Sequence, residues 1–479
     1  MSESPRRVHF VAVGGTGMGS LAGLLRARGI QVTGSDLRLY PPMSTALERW
    51  DIPVFEGFAA EHVLEHPPDL VVIGNAVGPD NPEARAAIDE GLAYASFPDA
   101  LYQHAIAGRH SVVCAGTHGK TTTTSLVAAL LLGTGRDPSM LVGGFPLDFD
   151  GSFREGQGEH FVVEGDEYDT AFFDKTPKFL HYGARTLLVT SVEFDHADIY
   201  RDLDHVKQAF RELVAGLPPD GVIVAARDHA GVRDVIAEAP CRSVGYGFES
   251  QAPGDWCAVG LEVTAEGTSF DIVCDGRNRL RARVPLFGDF NVENALGALA
   301  TVSELGVPLE DAAAALARFR GVKRRQEVRG EARGVVVVDD FAQHPTAVRG
   351  GIGALRARFP GRRLIAVFEP RTNTSRRATF QADYARAFDA ADRVVVRIVP
   401  DVPIYSATGP VTERFSSGRL ADDLRSRGID AVALDGVDAI VDHLVGECES
   451  GDVVLIMSNG GFGNIWERLL EALSSDRSA

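Results

Sequence analysis

Two patterns of apolar and polar residues alternate along this chain. Short solid runs rich in β-branched residues are separated by stretches in which apolar positions recur every three or four. Val8 to Val13 is a run of the first kind and reads as a buried strand, after which Leu21, Leu24 and Leu25 share one helical face. Gln31 to Asp36 reads as a second strand ending in an acid, and Leu70 to Ile73 as a further one. The pattern then repeats. Val112 to Ala115 predicts a strand and Leu126 to Leu132 a helix, followed by strands Phe161 to Glu164, Thr186 to Val192 and Gly221 to Ala225, and by helices near 291–305 and 309–318. Strands Gly334 to Val338, Leu364 to Phe368, Val394 to Val399 and Val453 to Met457 complete the series. Solid strands alternating with helices predict an α/β protein with mostly parallel sheets.

A chain of 479 residues exceeds one core and suggests three α/β domains. We expect a Rossmann-like unit at 1–108, a central phosphate-loop ATPase unit at 109–320 and a second Rossmann-like unit at 321–479. The glycine-rich stretch Gly143 to Gly158 reads as a mobile loop. A net charge of −18 argues against nucleic acid or an anionic membrane as partner. No apolar run approaches the ~20 residues that span a bilayer. Five cysteines without C-x-x-C spacing suit a reducing, cytoplasmic setting.

The chemistry concentrates at strand ends. After Val112 to Ala115 comes Gly116-Thr117-His118-Gly119-Lys120-Thr121-Thr122, then a helix. Backbone N–H groups and a helix N-terminus face an anion there, Lys120 neutralises phosphate, and the Thr121 hydroxyl suits Mg²⁺; the pattern predicts ATP binding. Cys114 stands where the longer form of this motif has its first glycine. Gly14-Gly15-Thr16-Gly17-Met18-Gly19 is a second glycine turn at a helix start, suited to a diphosphate. Its spacing departs from G-x-G-x-x-G, which leaves a UDP-type ligand and a nicotinamide dinucleotide of an oxidoreductase both open.

Glu164-Gly165-Asp166-Glu167-Tyr168-Asp169 follows a strand, so Glu164 is a candidate metal ligand, against a solvated acidic turn. His196, in Glu193-Phe194-Asp195-His196-Ala197-Asp198, is a candidate ligand or phosphate contact at another strand end. Asn291 and Asn294 open a helix, as caps or as an adenine edge reader. Lys323-Arg324-Arg325 is either a solvated basic turn or the source of an arginine brought to a γ-phosphate by domain closure. Asp340 ends a strand, where a ribose hydroxyl is a suitable partner.

Together these residues resemble the Mur ligase family along the whole chain and in its order. The resemblance implies a UDP-sugar site at Gly15, Thr16, Gly17, Met18 and Asp36. It implies an ATP site at the phosphate loop with Asn291, Asn294, Arg325 and Asp340, and Mg²⁺ held by Thr121, Glu164 and His196. Catalytic roles fall to Lys120, Glu164, His196 and Arg325. The stretches Tyr40 to Thr45, Val72 to Ala76 around Asn75, Glu167 to Lys175, Glu369-Pro370-Arg371 with Asn373-Thr374, and Ser458 to Gly463 are similar to the tripeptide-adding members rather than the L-alanine-adding ones. That implies ATP-dependent joining of UDP-N-acetylmuramate to the murein tripeptide L-alanyl-γ-D-glutamyl-meso-diaminopimelate through an acyl phosphate. Arg371 and Asn373 suit the carboxylate and amine at the far end of that tripeptide. Phe290 and Gln343 replace histidines usual in the family. Arg211 occupies the position of a carbamylated lysine found in several relatives, with Lys207 a turn earlier, so no carbamate is expected.

Overall fold

A computed structural model describes residues 5–41, 43–249 and 252–475. Pro42, inside one of the diagnostic stretches, lies outside the described residues.

The first unit is a five-stranded parallel sheet of β1 (Arg7–Val11), β2 (Gln31–Asp36), β3 (Val54–Glu56), β4 (Leu70–Ile73) and β5 (Tyr94–Ser96), in the order β3-β2-β1-β4-β5. β1 stops two residues before the predicted end because Ala12 turns the backbone to a φ of +65°. The chain then enters the helix Thr16–Ala27, which buries Leu21, Leu24 and Leu25 against the sheet as the pattern required.

The second unit is larger than the strand pattern announced. Its strands are β6 (His110–Ala115), β7 (Ser139–Leu141), β8 (Phe153–Arg154), β9 (His160–Gly165), β10 (Thr186–Val189), β11 (Val222–Ala226), β12 (Arg242–Gly247), β13 (Trp256–Thr264), β14 (Gly267–Cys274) and β15 (Arg277–Val284). They form one sheet ordered β15-β14-β13-β12-β11-β10-β6-β9-β7-β8. Strands β13 through β7 pair in parallel, and β14 and β15 extend β13 as an antiparallel arm. The parallel strands are buried on both faces, hence their solid apolar sequences. Helices Lys120–Gly133, Asp289–Glu304 and Leu309–Leu316 cover one face. The other face shares its core with the first unit.

The stretch expected to be a mobile loop is instead tied down. Within it β8 pairs antiparallel with β7, Phe153 meets the Trp50 ring edge-on at 4.9 Å, and Glu155 takes ion pairs from both Arg28 (2.9 Å) and Arg109 (2.6 Å). Glycine content signalled a loop, but it carried no information about these long-range partners.

The third unit consists of β16 (Glu327–Ala332), β17 (Val335–Asp340), β18 (Leu364–Phe368), β19 (Arg393–Arg397), β20 (Asp430–Leu434) and β21 (Val453–Met457). Their order is β16-β17-β21-β18-β19-β20, parallel except for β16. Separate apolar clusters fill the two faces of this sheet. Its register brings Asp340, Phe368 and Met457 level at the carboxyl edge, which faces the cleft described below. Among the described residues no helix is long and apolar enough to cross a membrane, and Cys114, Cys241, Cys274 and Cys448 form no disulfide.

Leu296 is fully buried where the helix Asp289–Glu304 meets its neighbours. Leu296→Ala leaves a cavity there and should cost about 2–5 kcal/mol, read as a lower urea midpoint of the central unit. An unchanged midpoint would contradict this packing.

Candidate active site

The phosphate loop takes its shape from two glycines. Gly116 has φ +142°, and a Cβ there would lie 2.0 Å from Thr190 Oγ1. Gly119 has φ +80° at the start of the helix Lys120–Gly133, and a Cβ there would lie 2.5 Å from Asn294 Oδ1. The loop is thus pressed between the end of β10 and the helix that carries both asparagines. Asn291 donates to Phe287 O (2.8 Å) and sits beside Asn294.

Lys120 folds back over this loop. Its Nζ donates to Gly116 O (2.6 Å) and pairs with both oxygens of the buried Glu167, at 2.9 and 2.7 Å. Burial opposes the ammonium charge, but the carboxylates of Glu167, Asp166 and Glu164 outweigh it and hold the pKa above its usual value. Glu167 also receives His196 Nε2 at 3.1 Å. Burial pushes the His196 pKa down, yet Asp195 and Glu167 raise it to about 9, so the imidazolium is the stable form here.

Thr121 Oγ1 donates to Glu164 Oε1 (2.9 Å), and Gly143 N donates to the other carboxylate oxygen (2.7 Å). Burial nevertheless leaves the Glu164 pKa raised. Arg325 reaches across from the start of the third unit and donates to Thr121 Oγ1 (3.3 Å), with its guanidinium stacked on Phe341 at 4.8 Å. Of the basic cluster, Arg324 is occupied by Asp339, Ser458 O and Gly460 O, so Arg325 is the member that meets the phosphate loop. Asp340 accepts from the backbone N–H groups of Gln326 (3.1 Å) and Ala342 (2.7 Å).

One cleft of about 2080 Å³ joins all three units. Its walls include Gly15, Thr16, Gly17, Met18 and Asn75 from the first unit. Thr117 through Thr122, Glu164, His196, Asn291 and Asn294 come from the second, and Arg325, Asp340 and Arg371 from the third.

Comparison with known proteins places the chain in a family. Family models described as "Mur ligase family, catalytic domain", "Mur ligase middle domain" and "Mur ligase, glutamate ligase domain" match residues 7–109, 114–302 and 324–460. The UDP-N-acetylmuramate–L-alanyl-γ-D-glutamyl-meso-2,6-diaminoheptandioate ligase of Escherichia coli is 38% identical over 477 residues, 99% of each chain.

The chain belongs to the Mur ligase family.

It is an ATP-dependent, amide-bond-forming ligase, which displaces the oxidoreductase reading of the N-terminal glycine turn. A crystal structure of a murein peptide ligase from Psychrobacter arcticus superposes with a TM-score of 0.73 at 34% identity, covering 98% of this chain and 99% of that one. A UDP-N-acetylmuramate–L-alanine ligase from Caldanaerobacter subterraneus is also similar, at 34% identity over 470 residues and 98% of both chains.

Within this Mur ligase, three of the candidate residues stand back from the cleft wall. Gly116 shapes the loop from behind. Asp36 Oδ2 accepts from Gly14 N (2.8 Å) and so fixes the N-terminal turn. Asn373 donates to Asp198 Oδ2 (3.1 Å), an inter-unit contact beside His196. Arg371 behaves otherwise. Its neighbour Glu369 is taken by Arg397 and Ser458, and the Arg371 guanidinium lies over Gly460 with no ion pair or hydrogen bond among the described residues. Lys207 pairs with Asp234 (2.8 Å), as does Arg211.

Sequence reasoning passed over Glu167, which sits in the acidic turn but was not distinguished from Glu164. Two residues separate the two acids; Glu164 lies within β9 and Glu167 just beyond its end, both turned towards the phosphate loop. Glu193, His344 and Thr346 were also missed as a set, because only the tertiary fold brings them together.

Lys120 faces the cleft, and its contacts are polar. Lys120→Ala should leave the circular dichroism spectrum unchanged and reduce ATP-dependent phosphate release by on the order of 10³-fold. Activity within tenfold of the parent would remove Lys120 from the phosphate site.

Proposed function

We propose that this ligase joins the lactyl carboxylate of UDP-N-acetylmuramate to the L-alanyl amine of L-alanyl-γ-D-glutamyl-meso-diaminopimelate. ATP is consumed, and the product returns a released murein peptide to cell-wall synthesis in the cytoplasm. The observation that carries the proposal is the unpaired Arg371 guanidinium, held in the cleft shared with the phosphate loop and the N-terminal glycine turn. A lone alanine has no distant carboxylate to engage it, whereas the diaminopimelate end of the tripeptide does.

The first unit holds the sugar nucleotide through Gly15, Thr16, Gly17, Met18 and Asn75. Asp36 keeps that turn in shape. The second holds ATP along Thr117 to Thr122 between Asn291, Asn294 and Asp340. The carboxylate attacks the γ-phosphorus, ADP leaves, and the acyl phosphate forms. The amine then attacks the acyl carbon, and inorganic phosphate departs. Lys120 and Arg325 stand where negative charge develops on the transferred group. To turn towards it, Lys120 must exchange Glu167 for phosphate oxygens, which leaves Glu167 with His196 as its remaining charged partner.

The donor set fits magnesium. Thr121 Oγ1 and Glu164 are hard oxygen ligands 2.9 Å apart, and the raised Glu164 pKa marks a buried carboxylate short of positive charge. Mg²⁺ bound there supplies charge neutralisation to the phosphates. His196, once it has given up its proton and left Glu167, is the candidate ligand for a second ion.

The L-alanine-adding reaction is the second reading, favoured by the equally full-length similarity to that relative. Phosphate release measured with UDP-N-acetylmuramate plus either L-alanine or the tripeptide separates the two. We expect the tripeptide to be used at least about 10²-fold more efficiently, and preference for L-alanine would overturn the proposal. Arg371→Lys should raise the tripeptide KM about tenfold while that for ATP changes little, because lysine cannot make the paired contact. An unchanged tripeptide KM would release Arg371 from acceptor binding.

Glu164→Gln and His196→Ala should each shift the magnesium activation curve to higher concentration. If both variants retain the parent curve, neither residue holds the ion.

A further inference from the structure

We infer that Glu193 is a positioning residue that ties closure of the third unit to the shape of the phosphate loop. The inference rests on the ligase reading above and concerns how its two halves are coupled.

Glu193 follows β10 and grips two successive residues of the loop. Its backbone N–H donates to Thr117 Oγ1 (2.9 Å), and that hydroxyl donates in turn to Glu193 O (3.2 Å). Its carboxylate Oε2 takes His118 Nε2 at 3.2 Å. The same oxygen accepts from Thr346 Oγ1 (2.8 Å), in the first turn of the helix Pro345–Arg358 of the third unit. His344, the residue before that helix, accepts from Thr346 N at Nδ1 (3.3 Å), so its Nε2 carries the proton and donates to Phe194 O (3.2 Å). The His118 and His344 rings lie 4.6 Å apart, centroid to centroid.

One carboxylate oxygen is therefore satisfied from two sides, by the phosphate loop and by the third unit. When the units part, Glu193 keeps its bonds to the loop but loses Thr346, and His344 loses Phe194 O. Water takes the place of Thr346 on the opened carboxylate but does not hold it at the angle His118 requires, so the closed arrangement and the observed loop conformation favour each other. Glu193 touches neither the Thr121–Glu164 pair nor Lys120. Its contribution is to fix the backbone between Gly116 and Gly119, from which Lys120 and Thr121 project.

The test uses the full chain carrying one spectroscopic label on the second unit and one on the third, with a non-hydrolysable ATP analogue and Mg²⁺. In the parent, nucleotide should shift the label distance to a shorter, narrower distribution. Thr346→Val should keep part of the population at the longer distance and lower kcat about threefold, with the ATP Kd of the free enzyme within twofold; Glu193→Ala should lower kcat about tenfold. Thr346→Ser retains the hydroxyl and should restore both readouts. The double variant should be no slower than Glu193→Ala alone, since both changes break one contact. Parent-like distances in both variants, multiplicative effects, or a Thr346→Ser enzyme as slow as Thr346→Val would overturn the inference. Distances are read with nucleotide alone, so an incorrect acceptor assignment would abolish tripeptide turnover without altering them.

Discussion

A buried ammonium among carboxylates sets the terms for the rest of this molecule. Lys120 lies within ion-pair distance of Glu167, with Asp166 and Glu164 close enough to raise its pKa. Removing these charges from water is costly unless they remain paired, so the loop, the acidic turn and His196 form one electrostatic unit. In the proposed reaction, an anionic ligand enters by exchanging partners with groups already charged and oriented. That exchange involves little reorganisation, which is the condition for strong stabilisation of developing charge.

The three sheets place their chemistry around this unit by the same device. In each, the strand carboxyl ends face the cleft, and the residues that matter lie just beyond a buried strand: the Gly15 turn after β1, Lys120 after β6, Glu164 at the end of β9, Asp340 at the end of β17 and Arg371 after β18. The second unit alone does not complete the cleft around the phosphate loop, because Arg325 and Asp340 arrive from the third. Separate units that converge on one cleft permit large substrates to enter before the reacting atoms are brought together.

Much of this was legible in the sequence, for a physical reason. A parallel strand buried on both faces must be apolar throughout, so β1, β4, β6, β9, β10, β11, β17, β18 and β21 announce themselves, as do the glycines and charges that follow them. The antiparallel arm β13–β15 did not. It is partly exposed, and sequences such as Arg277-Asn278-Arg279-Leu280-Arg281 give no solid apolar run. The family resemblance identified Glu164 and His196, but their immediate partners are set by approaches between distant segments. His196 meeting Glu167, Asn373 meeting Asp198 and Glu193 meeting Thr346 are of this kind. Local pattern cannot encode such pairs, because each is fixed only when separate segments pack.

Gly460 illustrates how such packing constrains variation. A Cβ at this position would lie 1.2 Å from the Arg371 Nη1 atom, so the missing side chain is the mould in which that guanidinium rests. The two residues lie in loops after different strands, β18 and β21, and neither fills a hydrophobic core. Even the smallest side chain at 460 would swing the arginine to a new angle while leaving β21 intact. Position 460, itself on the cleft wall, therefore sets the angle of the guanidinium proposed to engage the acceptor. Under the proposed function, a lineage, or an engineer, seeking a different acceptor has a route there, provided that Arg324 keeps its bond to Gly460 O.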